Sequence, residues 1–295
     1  MEQTDFTLLS SDASTTRQVT CFAPEDRARA LLIVLHDAGQ NAAHYGSLAS
    51  FLTGQGIALL CPFFAEYGLL SAQEKRPNSA RSARPDRIIQ EDLFLIQTET
   101  KKRFPDTPLF LMGTGTGSHL VLSCLTTHGD GLHGVVLAGT GFFSPAATSL
   151  KLYAISALSS IRSDAYRRGI LPQKVRLLAV SSSCSEMQIA KLPKNLSFFL
   201  ASGADDPYGD FGAGVRRIQE KLLTSGIADV SCTFYPRTGH DLFQEKTGET
   251  FYGDLEAFFA ARTGQDRVSS YDSNKAYDEK KAQERQEYEI EQILL

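Results

Sequence analysis

The stretch Leu109-Phe-Leu-Met-Gly113-Thr-Gly115-Thr-Gly117-Ser-His119 decides how this chain is read. Leu109 to Met112 is a short apolar run of the kind that forms a strand buried on both faces. A corner with glycine at every second position follows, and Ser118 to Thr127 then has the character of a helix. Glycines at that spacing let strand and helix approach closely and let the backbone enter conformations that a Cβ would strain. The same three glycines invite comparison with a phosphate cradle at a helix N-terminus, but neither a GxGxxG pattern nor a P-loop lysine completes one. The unit is therefore strand, sharp corner, helix.

Working outward, the same alternation repeats. Ala30-Leu-Leu-Ile-Val-Leu-His36 is a continuous apolar run without alternation, as expected of a central parallel strand. Ala42 to Gly54 sets Tyr45, Leu48, Ala49 and Leu52 at helical spacing, and Ile57 to Phe63 is the next buried run, which completes a βαβ unit. Ahead of it, Phe6 to Leu9 and Arg17 to Phe22 read as the strands of a hairpin. Residues 65 to 88 carry Arg76, Pro77, Asn78, Arg81, Arg84 and Pro85 with few apolar anchors and are expected to form an exposed loop. Ile88 to Phe104 is a predicted helix, closed by Lys101, Lys102 and Arg103 where a C-terminus favours cations. Beyond the glycine corner, strands are predicted at Gly134 to Ala138, Leu196 to Leu200 and Val230 to Tyr235, and helices over Val215 to Leu223 and Phe251 to Ala261. The result is an α/β fold with a mostly parallel central sheet and helices on both faces. One domain is expected over residues 1–264, with an insertion at about 144–192 acting as a short lid. Residues 265–295, with 13 charged residues among 31, read as a solvated tail that offers a place for a protein partner.

Composition narrows the function classes. Thirty Lys and Arg against 34 Asp and Glu give a net charge of −4, so no general basic field gathers nucleic acid. The five cysteines, Cys21, Cys61, Cys124, Cys184 and Cys232, are scattered, and no CxxC pair seeds a metal site or a disulfide framework. They are expected to be buried thiols, and neither metal nor cofactor is expected. Met1 to Asp5 lacks the basic and apolar regions of a signal peptide, and the longest apolar run is far short of a membrane span. A cytoplasmic location without a transmembrane segment is the expectation.

Five stretches carry the chemistry. They are Ile33-Val-Leu-His36-Asp-Ala-Gly-Gln-Asn41 with Tyr45, Pro108 through Ser118, Leu132-His-Gly-Val-Val-Leu-Ala-Gly-Thr140, Gly203-Ala-Asp-Asp206-Pro-Tyr-Gly-Asp-Phe-Gly212, and Tyr235-Pro-Arg-Thr-Gly-His240. Together they resemble the monoacylglycerol lipase and lysophospholipase group of α/β-hydrolases, also described as serine-aminopeptidase-like. The likeness covers most of the chain. It implies an α/β-hydrolase fold and carboxylic-ester hydrolysis, with a nucleophile at the centre of GxSxG, an acid at Asp206, a base at His240, and oxyanion donors in the backbone N–H groups of Ala38 and Thr116. In such a site the acid orients the histidine and supports its protonated form, while the N–H pair holds the oxyanion.

The chain departs from that pattern where attack should begin. The centre of the elbow is Gly115, which has no hydroxyl, while Gly113 and Gly117 keep their spacing. The family's His-Gly pair becomes His36-Asp37, and its DxRGHG turn becomes Pro62-Phe-Phe-Ala-Glu-Tyr-Gly68. Thr114, Thr116 and Ser118 offer hydroxyls, but a shift of one residue moves a side chain by about 3.8 Å of backbone, too far for in-line attack. The expectation is an ester-hydrolase relative whose serine chemistry is impaired or absent at Gly115, acting on or binding a small acyl ester or lipid-like ligand. The alternatives are a non-catalytic acyl-ligand binding or scaffold protein, and a weak hydrolase in which His240 activates water directly. On this reading Gly115→Ser tests whether the rest of the site is intact.

Overall fold

The computed structural model describes residues 1–37, 40–64, 85–140, 189–243 and 245–264. Its centre is an eight-stranded sheet built from β1 (Glu2–Leu9), β2 (Thr16–Ala23), β3 (Ala30–Leu35), β4 (Ile57–Phe63), β5 (Leu109–Thr114), β6 (Gly134–Ala138), β7 (Phe198–Gly203) and β8 (Val230–Tyr235). The spatial order is β1-β2-β4-β3-β5-β6-β7-β8. β2 runs antiparallel to both of its neighbours, and every pairing from β4 through β8 is parallel.

The helices are α1 (Gly46–Gly54), α2 (Pro85–Arg103), α3 (Thr116–His128), α4 (Ala213–Thr224) and α5 (Glu245–Thr263), with a 3-10 turn at Ala42–Tyr45 leading into α1. They cover both faces of the sheet. Leu31, Ile33, Leu35, Leu109 and Leu111 pack with residues of α2, α3 and α4. Leu32, Val34, Phe110 and Met112 point the other way, into a second core shared with α1 and α5. Because successive residues of a strand face opposite sides and both sides are covered, β3 and Leu109 to Met112 of β5 need apolar side chains throughout. That is why their sequences show no alternation.

The element boundaries differ from the sequence reading in instructive ways. α2 begins at Pro85, inside the stretch expected to be loop. Proline suits the first helical position, because its missing N–H has no partner to lose there. α5 begins at Glu245, six residues ahead of the predicted start. Of the expected insertion, residues 144–188 lie outside the described residues. At its far end Ile189 and Leu192 are buried in the main core, so 189–192 belong to the body of the fold. The rest of the expected loop, 65–84, and the tail, 265–295, also lie outside the described residues. Cys21, Cys61 and Cys124 are buried thiols as expected; Cys232 is only partly buried, and Cys184 is not among the described residues. Among the described residues no helix is long and apolar enough to cross a membrane, and no cluster of three ligating side chains suits a metal ion.

Candidate active site

The corner between β5 and α3 is a tight elbow. Gly115 sits at φ 51°, ψ −117°, a region that side chains enter only under strain. Its N–H donates to the Ala138 carbonyl at 2.9 Å, which ties the corner to the end of β6. A Cβ on Gly113 would run into the backbone of Ser118, and one on Gly117 into the carbonyl of Leu35. The glycine spacing therefore reflects close packing of helix against strand.

The acid and the histidine arrive from the far side of the sheet. Asp206 follows β7 and His240 follows β8, and the two loops are laced by Asp205 N–H to Thr238 O and Ala204 N–H to Tyr235 O, both at 2.9 Å. Asp206 is wholly buried. Its Oδ1 accepts from the Tyr208 N–H at 2.9 Å, and its Oδ2 lies 2.9 Å from His240 Nδ1. The ring's Nδ1–H thus points at the carboxylate, leaving Nε2 directed toward the elbow.

A carboxylate meets Nε2 there. Asp37, just past β3 and 3% exposed, places Oδ2 3.3 Å from His240 Nε2. Its Oδ1 accepts from the Thr116 N–H at 2.9 Å and from the Thr116 hydroxyl at 2.7 Å. A Cβ built on Gly115 would lie 2.6 Å from Asp37 Oδ1 and 2.8 Å from Oδ2, and closer still to Cγ. The carboxyl group of Asp37 therefore occupies the space that a side chain at the elbow would fill. It also occupies the N–H of Thr116, which the resemblance assigned to the oxyanion. Ala38, the other expected donor, is outside the described residues.

Two carboxylates on one imidazole fix its charge. Burial of His240 opposes protonation, but hydrogen bonds to Asp206 and Asp37, reinforced by their negative charges, outweigh it and raise the pKa to about 9. At neutral pH the ring is an imidazolium donating from both nitrogens. The hydroxyls near the elbow are engaged elsewhere. Thr114 Oγ1 lies 2.8 Å from the Tyr45 hydroxyl, and the Ser118 hydroxyl donates to the Gly113 carbonyl at 2.8 Å. Beside these groups lies a cavity of about 10 Å³ bordered by Asp37, Gln40, Gly115, His240 and Phe243, room for about one water molecule.

The structure thus gathers Asp206, His240, Gly115 and Thr116 at one point and adds Asp37, whose role the sequence reading missed. A signal existed: a side chain is gained at position 37 where the resembled pattern has glycine, and one is lost at 115 where it has serine.

An eight-stranded sheet in this order, with an elbow after β5 and an Asp–His pair after β7 and β8, defines an α/β-hydrolase. Residues 26–182 match the family model for serine aminopeptidase, S33, and the chain belongs to that family. The match ends before Asp206 and His240, so their pairing rests on the geometry above. Among solved structures, a thermostable carboxyl esterase from Bacillus coagulans in complex with glycerol superposes with TM-score 0.68 at 16% identity, covering 89% of this chain and 99% of the other. A lipase in an open form gives 0.70 at 17% identity over 90% and 100%. A monoacylglycerol lipase of Paleococcus ferrophilus gives 0.57 at 15% identity over 89% and 100%. Identities this low carry the fold alone. Comparison with curated proteins found no match.

Proposed function

We propose that the protein is a hydrolase-type binding site for a small acyl ester or lipid-like molecule that does not form a serine acyl-enzyme. One observation carries this reading: the carboxylate of Asp37 stands where the elbow side chain would be and takes up the Thr116 N–H. A serine mechanism needs both of those features. Loss of one oxyanion donor alone costs about 10²–10³ in rate, and a carboxylate in that place also repels the charge an ester develops on attack. Removal of the nucleophile costs more still.

Direct activation of water by His240 is a second reading, and the water-sized cavity beside the ring favours it. It requires a neutral imidazole, which the two flanking carboxylates withhold until pH rises to about 9. The test is direct. The protein stays unlabelled by a fluorophosphonate probe and shows little turnover of p-nitrophenyl esters at neutral pH. Specific labelling at Thr114, Thr116 or Ser118 overturns the serine-free reading. Ester hydrolysis that climbs with pH and disappears in His240→Ala supports the water route.

A further inference from the structure

His44 presents one ring nitrogen to two groups that need it in opposite states. Its Nε2 lies 3.1 Å from Gln40 Nε2 and 3.4 Å from Asp241 Oδ2. The amide of Gln40 is oriented from its other end. Its Oε1 faces the Asp37 N–H at 3.3 Å, a group that can only donate, and accepts from the Tyr45 hydroxyl at 2.7 Å. The NH2 end is therefore the one that meets His44, and it needs a lone pair on Nε2. The Asp241 carboxylate, facing the same nitrogen, needs a proton there. Tyr45 and Phe243 pack edge-on against the imidazole, with ring centroids 5.3 and 5.6 Å away, and hold it between the two claimants.

We propose that His44 is a proton-operated switch on the segment that carries Asp37: the neutral ring accepts from the Gln40 amide, whereas the protonated ring donates to Asp241 and turns the Gln40 amide so that its oxygen leaves the Asp37 N–H. Such a switch stands apart from the binding reading and holds whether or not an acyl ligand enters the site.

Turning the amide sets an NH2 group against the Asp37 N–H, a donor facing a donor. The change also runs inward. With the ring neutral, Thr114 Oγ1 donates to the Tyr45 hydroxyl at 2.8 Å, and Tyr45 donates to Gln40. With an NH2 facing it, the Tyr45 hydroxyl accepts instead and turns its proton to Thr114, whose own proton is left to the Leu35 carbonyl at 3.5 Å. Tyr45 is wholly buried, so bulk solvent does not replace a partner lost in this chain. The inner end of the segment is Asp37, whose carboxylate holds Thr116 and faces His240. The outer end is reachable, since the side chains of His44 and Asp241 are each 29% exposed. A proton taken up near the surface is thereby felt by the backbone of a buried residue in the site.

Histidine is the side chain whose charge ordinarily changes between about pH 5 and 8. Asp241, from the loop after β8, favours the proton on His44. His240, whose charge Asp241 also feels, and His36, at the end of β3, oppose it. From its own segment the ring faces Tyr45, with Asp37 beyond Gln40.

The experiment follows the nitrogen-15-labelled full chain by NMR over that range of about pH 8 to 5. At the upper end the His44 ring is expected to carry its proton on Nδ1 and leave Nε2 bare. On acidification the Gln40 side-chain amide is expected to shift, and the Asp37 amide proton to move upfield as its acceptor is lost, both at the midpoint of the His44 ring. Asp241→Asn is expected to move that midpoint to lower pH, because it removes the anion that favours the imidazolium. Gln40→Met is expected to leave His44 titrating and to abolish the response of Asp37 at the His44 midpoint. A folded wild-type protein whose Asp37 amide ignores the His44 titration overturns the proposal, as does a proton on Nε2 at the upper end of the range; neither result depends on a variant. An unmoved midpoint in Asp241→Asn overturns it too. An Asp37 amide that still follows His44 in Gln40→Met reduces the coupling to charge felt through space and likewise overturns the switch.

Discussion

The two arms of the site meet at one imidazole and differ in how they relate to the sequence. On the Nδ1 side, Asp206 and His240 come from the loops after β7 and β8 and lie 2.9 Å apart, in the places their neighbours in sequence suggest. On the Nε2 side, the group facing the ring comes from a different strand: the elbow after β5 presents no side chain to the imidazole, and the segment just past β3 contributes the carboxylate. The histidine meets whatever group reaches the right point in space, and β3 and β5 are adjacent parallel strands whose ends converge there. A site can therefore keep its geometry while changing which strand supplies an atom.

The largest expected effect breaks this contrast outright. Gly115→Ser alone brings a side chain into the Asp37 carboxyl group, at a positive φ. It is expected to remain unlabelled by fluorophosphonate and to lose about 1–3 kcal/mol of stability from overpacking. Gly115→Ser combined with Asp37→Gly clears the collision and frees the Thr116 N–H, and it is expected to acquire labelling at residue 115. Labelling of the single variant, or none in the double, would show that the two positions are not exchanged. In stability alone the larger change is expected from Asp206→Ala, which leaves the partly buried His240 with one carboxylate partner. A loss of about 3–5 kcal/mol is expected in denaturant titration.

The pH dependence sharpens the comparison more gently. His240 has an ordinary pKa of 6.5 and a folded value raised to about 9. Its contribution to stability is therefore fully present below about pH 6.5 and is lost as pH rises through 9. Besides Asp206 and Asp37, the Tyr208 ring packs against it at a tilt and Asp241, itself paired with His44, adds negative charge. Unfolding midpoints measured from pH 6 to 10 should fall with pH in the wild type and vary less in Asp37→Asn. An equal slope in the two proteins would remove Asp37 as a partner of the ring. The smallest effect is expected from Thr116→Val, which deletes one donor to Asp37 and keeps the N–H. A cost of about 2 kcal/mol is expected for a hydrogen bond to a charged group.

Much of this fold was legible because the chain states it locally. β3 and Leu109 to Met112 of β5 are apolar throughout since both faces are buried, and the glycines at 113 and 117 mark where helix meets strand. Pro85 was misread because a polar stretch with proline resembles a loop, although proline is also a helix-starting residue. Asp206 and His240 were legible from their neighbours in sequence. Asp37 was visible only as a departure from a pattern, because its meaning depends on contact with a residue 79 positions away, which linear spacing does not report.

The overlap between residues 37 and 115 also means that the two positions share one volume. A side chain at the elbow meets the Asp37 carboxyl group on this backbone, so both can be filled only if that carboxyl group swings away. A variant library that randomises one of the two alone therefore samples mostly collisions, whereas paired randomisation keeps the shared volume filled once.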